Sequence, residues 1–405
     1  MASKFTYSML WLLVFSIPFE NMLVIQEFGT ITRLVGMLAM TSAIFTVLID
    51  NRFRPFGIFL TLFMVFVLWN MTTFYWSIDS ETTLRFMFTY LQLFLLAWII
   101  WEFGQTDQQL MSLQCAYVLG AYVSSLALFH AFLQGNQVTY FRYAAYGFDP
   151  NDIALIIALG VPLAWYVSLL TDNRLMVWLY RSYLPVAFFA VTLTASRASF
   201  IALMVAYCFV LWTYSNLSLL SKAALLLLVV FSGYFLLSLI PDYSWARLST
   251  IGSEIASGNL NSRLAIWLGG LKAFAHNPLL GIGVGTFPTG VLPYLGVEIS
   301  PHNLFLSILV GQGLIGIFIF ASLITVLVVS AWHLPQLKFR LCIILLATWM
   351  TGIMALGWEH RKPTWFILSL VACLCALGKD CSRAHPSQDL EIRPLEPSPP
   401  KGINL

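Results

Sequence analysis

Long apolar stretches alternate with short polar turns along this chain, and the stretches have the length of membrane helices. A hydrocarbon core of about 30 Å takes about 20 apolar residues in helical form. By that measure about twelve transmembrane helices are predicted, at residues 7–25, 31–49, 56–75, 85–103, 111–133, 151–170, 182–196, 198–214, 222–240, 302–332, 341–357 and 363–378. Only the polar knot at 194–199 separates the seventh from the eighth. One long polar loop, 241–301, lies between the ninth and tenth. Residues 379–405, with several prolines, read as a disordered tail, which leaves 1–378 as a single membrane domain.

Composition supports an all-α polytopic integral membrane protein. The chain is 59% hydrophobic and 10% charged, against roughly 25% charged in soluble globular domains. The first apolar stretch is too long for the h-region of a cleavable signal, and no small-residue cleavage site follows it. Lys and Arg in short loops set orientation. With a cytoplasmic N-terminus the inner loops hold Arg52, Arg54, Arg174, Arg181, Lys222, Lys338 and Arg340, and the tail adds Lys379 and Arg383. The turns near Glu27 and Asp79–Glu81 are acidic and fall outside. Both termini are then cytoplasmic and the 241–301 loop is external. The six cysteines sit in or beside apolar stretches and read as small apolar residues, without zinc spacing.

This orientation leaves many cations on the outer side: Arg33, Arg85, Arg142, Arg197, Arg247, Arg263, Lys272, Arg361 and Lys362. Charges at helix ends either snorkel to headgroups or face a working cavity. Three segments concentrate them. Thr194-Ala-Ser-Arg-Ala-Ser199 sets Arg197 between two apolar stretches, with Ser196 and Ser199 able to hydrogen-bond inside the turn. From Asn261 to Phe287, Arg263, Trp267, Leu271 and Phe274 recur at helical spacing, which predicts an amphipathic helix at the membrane surface. Ser262 would cap it and Asn277-Pro278 would end it. Gly281, Gly283 and Gly285 follow, either as flexible-loop glycines or as a turn whose amides face phosphate oxygens. Pro301-His302-Asn303 opens the tenth span, and a histidine there serves as a cap, a headgroup contact or a proton acceptor. Glu359-His360-Arg361-Lys362 joins the last two spans. The external carboxylates Asp149 and Asp152 argue against a metal, because Asp149 followed by Pro150 reads as a helix cap. Such a cation cluster calls for an anionic ligand. Outside the cytoplasm lipid-linked pyrophosphates are the available kind, and arginine holds phosphate bidentately.

The run Ser196-Arg-Ala-Ser199, the spacing Arg263-x-x-x-Trp267 followed by Asn277-Pro-Leu-x-Gly-x-Gly283, and Pro301-His-Asn-Leu-Phe-Leu leading to Gly313-Leu-Ile-Gly316 resemble the O-antigen ligase superfamily, over about residues 147–365. That superfamily includes O-antigen ligases, O-antigen and exopolysaccharide polymerases, and protein O-oligosaccharyltransferases. The resemblance implies a C-type glycosyltransferase architecture in the bacterial inner membrane. It implies metal-independent, inverting transfer with no cofactor, from an undecaprenyl-pyrophosphate-linked glycan. Arg197 and Arg263 would contact the pyrophosphate, and His302 would be the base or an acceptor-site residue. Arg33, Arg85, Arg247, Arg361 and Lys272 enter as binding candidates on charge alone. Compact size, the single long loop and the Pro-His-Asn motif favour a ligase with a lipid A–core acceptor. A polymerase, with a lipid-linked repeat unit as acceptor, is the alternative, and a protein-directed enzyme ranks third. A flippase or anion transporter is the non-enzyme reading, against which the chain shows no pair of similar halves.

Overall fold

In the computed structural model, residues 2–25, 29–257 and 263–384 are described. Each predicted span carries one helix. α1 (Ala2–Ser16), α2 (Ile31–Asp50), α3 (Ile58–Thr72), α4 (Ser80–Phe103) and α5 (Asp107–Leu133) come first. α6 (Pro150–Leu170), α7 (Arg174–Leu193), α8 (Arg197–Thr213) and α9 (Leu219–Leu237) follow. Among the described residues four short helices fold the long loop: α10 (Asp242–Ser249), α11 (Ile251–Ser257), α12 (Arg263–His276) and α13 (Phe287–Leu295). α14 (Leu304–Ala331), α15 (Gln336–Ile353) and α16 (Lys362–Ala384) complete the chain. The multi-pass helical architecture is as expected. Of the twelve predicted spans, length and composition qualify 8 among the described residues, and shorter apolar helices cover Arg197–Thr213, Leu219–Leu228 and Lys362–Gly378. The turn at Glu27, the Ser262 cap and the tail from residue 385 lie outside the described residues; α16 runs past the predicted boundary at Gly378 to Ala384.

α6 is the axis of the bundle. Nearly all of its side chains are buried, because α5, α7, α8 and α15 pack around it. Asp149 caps it, accepting from the Asn151 amide at 2.7 Å, with Pro150 at the first position. That is the structural role predicted for this pair. α7 starts earlier than the hydropathy reading placed it. Asn173 caps it through the Leu175 amide at 2.9 Å, so Arg181 belongs to the helix rather than to an inner loop. It is 7% exposed, with its guanidinium 5.6 Å over the Trp165 ring.

The sharpest departure from regular structure is in α14. Gly313 interrupts it with φ 69° and ψ −168°. A broken helix in an apolar surround needs other partners for its freed backbone groups, and the glycine loop supplies them. Ile282 N donates to Val310 O at 3.0 Å and Gly283 N to Gly311 O at 2.9 Å, while Leu314 N donates to Pro278 O at 2.9 Å. The same loop is stitched to the α3–α4 turn. Ile78 N donates to Ile282 O at 3.0 Å and the Thr83 hydroxyl to Val284 O at 3.1 Å. The Gly281 and Gly283 segment is therefore neither a flexible loop nor a free amide cradle. Its amides at Ile282 and Gly283 are spent on α14.

Candidate active site

One end of the bundle gathers the starts of α2, α4, α6, α8, α14 and α16 together with α10–α13. The turn between α7 and α8 shows how. Ala195 there has φ 47°, a left-handed conformation unusual for a residue with a side chain. It turns two carbonyls outward. Arg142, delivered by the hairpin β3 (Gln137–Val138) with β4 (Arg142–Tyr143), donates Nε to Thr194 O at 2.7 Å. Arg247 of α10 donates Nε to Ala195 O at 3.1 Å. Asn151 at the start of α6 is the hub beneath. Its Oδ1 accepts from Arg142 Nη2 at 2.7 Å and from Ser196 Oγ at 2.8 Å. Ser196 and Ser199 also bond to each other within the turn, at 3.0 Å.

Above this frame lies a cavity of about 320 Å³. Arg197, Arg247 and Arg263 line it together, with Glu254, Asn151 and Trp267 among the other walls. Arg197 Nη1 reaches Thr250 Oγ1 at 3.0 Å and pairs with Glu254 Oε1 at 2.9 Å. Burial, then the neighbouring Arg197, lowers the pKa of Arg263. Burial, then Arg247, pushes Arg142 down to about 10. Both remain cationic at neutral pH. Each is repelled by neighbouring arginines, Arg263 by Arg197 and Arg142 by Arg247 and Arg197, a repulsion that a bound anion would relieve.

A second cavity, of about 280 Å³, adjoins the first. His302, Arg361, Asp149, Asp152, Glu359 and His360 line it. His302 has φ 47°, and it is Asn303, not His302, that caps α14, accepting from Leu306 N at 3.0 Å. The left-handed turn takes the imidazole off the helix end and into the cavity wall. Its pKa is lowered, first by burial and then by Arg263, so the ring is neutral at pH 7 and able to accept a proton. Arg361 is tied to Asp152 at 3.0 Å. Glu359 takes the Ser307 hydroxyl on Oε1 at 2.5 Å, and its buried Oε2 has no hydrogen-bond partner among the described residues.

The remaining candidates stand apart from these two cavities. Arg33 lines a separate groove between α2 and α4. Arg85 is exposed and donates to Thr82 in its own first turn, at 3.1 Å. Lys272 is exposed on α12, 5.9 Å over the Tyr294 ring. α12 is a helix as predicted, but its buried stripe is Ile266, Gly269, Gly270 and Ala273. Leu271, on the stripe read from the sequence, is 47% exposed. The small residues Gly269 and Gly270 let α13 pack there, with Leu295 and Phe287 against them, a contact that hydrophobicity alone does not signal. Sequence reasoning also passed over Glu254 and Asn151. Both are ordinary polar residues until the fold brings them beside the arginines. No group of metal-ligating side chains occurs among the described residues. Cys115, Cys208, Cys342, Cys373 and Cys375 are free thiols.

Residues 182–321 match the O-antigen ligase family. The resemblance carried by the motifs is supported over that segment, which is narrower than the 147–365 stretch read from the sequence. It contains Arg197, Arg247, Arg263, Lys272 and His302, and excludes Arg33, Arg85 and Arg361. The family is one of ligase- and polymerase-type membrane glycosyltransferases acting on lipid-linked glycans. No curated protein matches the chain.

Proposed function

We propose that the protein is an O-antigen ligase, transferring a polysaccharide from undecaprenyl pyrophosphate to a lipid A–core acceptor on the periplasmic face of the inner membrane. The observation that carries this reading is the convergence of Arg197, Arg247 and Arg263 on one cavity, adjoined by the cavity that holds His302. The donor pyrophosphate occupies the arginine cavity, where fixed guanidiniums meet the charge that grows as it leaves. An acceptor hydroxyl oxygen attacks the anomeric carbon from the His302 side, and its proton passes to the neutral imidazole. The bond from that carbon to the phosphate oxygen breaks, with its electron pair going to the pyrophosphate. Attack opposite the leaving group inverts the centre. Guanidiniums supply the countercharge, so no metal ion is needed. Short-loop cations at the opposite end of the bundle support cytoplasmic termini.

The test is deletion and complementation in the native host, read on glycolipids. The ligase reading expects polymer left on the polyprenyl carrier and bare lipid A–core, restored by the wild-type chain and not by Arg197→Ala or Arg263→Ala at equal abundance. Core capped with at most one repeat would identify a polymerase instead. Lipid-linked sugar trapped on the inner face would identify a flippase. Near wild-type transfer by both arginine variants would overturn the site. In a purified transfer assay, EDTA is expected to leave the rate unchanged.

A further inference from the structure

A third cavity, of about 380 Å³, runs between α2 and α4 with α1 behind it. Its length is mostly apolar, with Gly36 and Met37 from α2, Leu93 and Leu96 from α4 and Leu13 from α1, and with Thr41, Thr89 and Gln92 among the walls. Its end toward the site is polar, with Arg33, His360 and Lys362, the last of these paired with Glu20. Arg33 is exposed, and its guanidinium has no ionic partner among the described residues. Apolar walls with an exposed arginine at one end fit a lipid whose head is phosphorylated. His360 is the joint: it lines this groove and the His302 cavity alike. The groove and the His302 cavity therefore share a wall.

We propose that the groove between α2 and α4 seats the acceptor glycolipid, with acyl chains along Met37 and Leu96 and a head phosphate on Arg33. This rests on the transferase reading above. In that reading the donor's pyrophosphate takes the arginine cavity, which shares no lining residue with the groove, and inversion requires the acceptor to approach from the side opposite the leaving group. A lipid seated in the groove presents its sugars to the His302 cavity past His360, the residue that both cavities share. Arg33, which charge alone singled out, thereby acquires a role distinct from that of Arg197.

Binding and transfer separate the two readings. The whole chain in detergent micelles would be titrated by native mass spectrometry with two probes, lipid A–core lacking O antigen and undecaprenyl pyrophosphate. Gly36→Trp fills the groove, where a Cβ on Gly36 meets only a Leu13 methyl at 3.6 Å. Arg33→Glu reverses the head contact at an exposed position. Both variants are expected to bind lipid A–core at least about tenfold more weakly and undecaprenyl pyrophosphate as wild type, the latter serving as the control for folding. Arg197→Ala should do the reverse. Loss of undecaprenyl pyrophosphate from the groove variants would give the groove to the donor and overturn the proposal. Unchanged lipid A–core binding by both would overturn it as well. If the wild type binds lipid A–core through the groove yet transfers nothing, the transferase reading fails while the lipid site stands.

Discussion

At the residue scale the informative positions are those whose backbone or charge state departs from the ordinary. His302 combines a left-handed φ with a pKa lowered by burial and by Arg263. If its neutral ring accepts the acceptor's proton, kcat/KM rises with pH through the His302 pKa and levels off above it. Because that pKa lies below the usual value of about 6.5, the acid limb falls below pH 6.5. Arg263→Gln removes a cation that opposes protonation. The limb then shifts upward in pH, although not to the free value, since burial is the larger cause. A pH-rate profile of the two enzymes checks the sign, and a limb that stays put would remove His302 from the proton's path. The motif residues Arg197, Arg263 and His302 were legible because each sits in a short, ordered run. Glu254 and Asn151 were not, because nothing local distinguishes a polar residue that will face an arginine from one that will face water.

At the element scale, the glycine loop and α14 act as one unit. The sequence displays Gly281, Gly283 and Gly313 but not that they meet, since the pairing is made through backbone groups some thirty residues apart, as Ile282 N to Val310 O and Gly283 N to Gly311 O show. A Cβ on Gly281 would lie 2.5 Å from Gly313 N, and one on Gly313 would strike the Leu279 carbonyl. Gly313 also holds a φ/ψ pair that is close to glycine-only, costing a substituted residue about 1–3 kcal/mol before any clash. Gly313→Ala is therefore expected to lower thermal stability by about 3 kcal/mol or more. Gly296→Ala, at an exposed αL helix end with nothing within 4 Å, should cost only about 1 kcal/mol. Thermal unfolding in micelles distinguishes them, and equal losses would show that the loop–helix junction does not carry this load. Helix existence was legible in apolar runs. The start of α7 was not, because the Asn173 cap lay within the polar stretch read as a loop, and Arg181 was counted among loop charges. The buried stripe of α12 was misread for a related reason: glycines bury by close approach rather than by hydrophobicity.

At the scale of the whole molecule, the loop between α15 and α16 is held by carboxylates from the first half of the chain. Asp152 of α6 accepts from Trp358 Nε1 at 2.8 Å and from Arg361 Nη2 at 3.0 Å, and Glu20, just after α1, pairs with Lys362. These ties orient Glu359, His360 and Arg361 toward the His302 cavity, while the three arginines of the other cavity come from α8, α10 and α12, with α6 and α15 lending it Asn151 and Thr351 as walls. Asp152→Asn keeps the side chain's shape and its capacity to accept from Trp358, but removes the charge facing Arg361. With Arg361 partly exposed, the stability loss should be about 1 kcal/mol, a shift of a few degrees in Tm. The functional loss should be larger, because Arg361 and the loop it anchors are freed next to the reacting groups. The expected pattern is a fall in kcat at saturating donor with undecaprenyl pyrophosphate binding unchanged. If donor binding instead falls in step with kcat, the carboxylate ties serve the arginine cavity too, and the division of the site into a leaving-group side and an acceptor side does not hold.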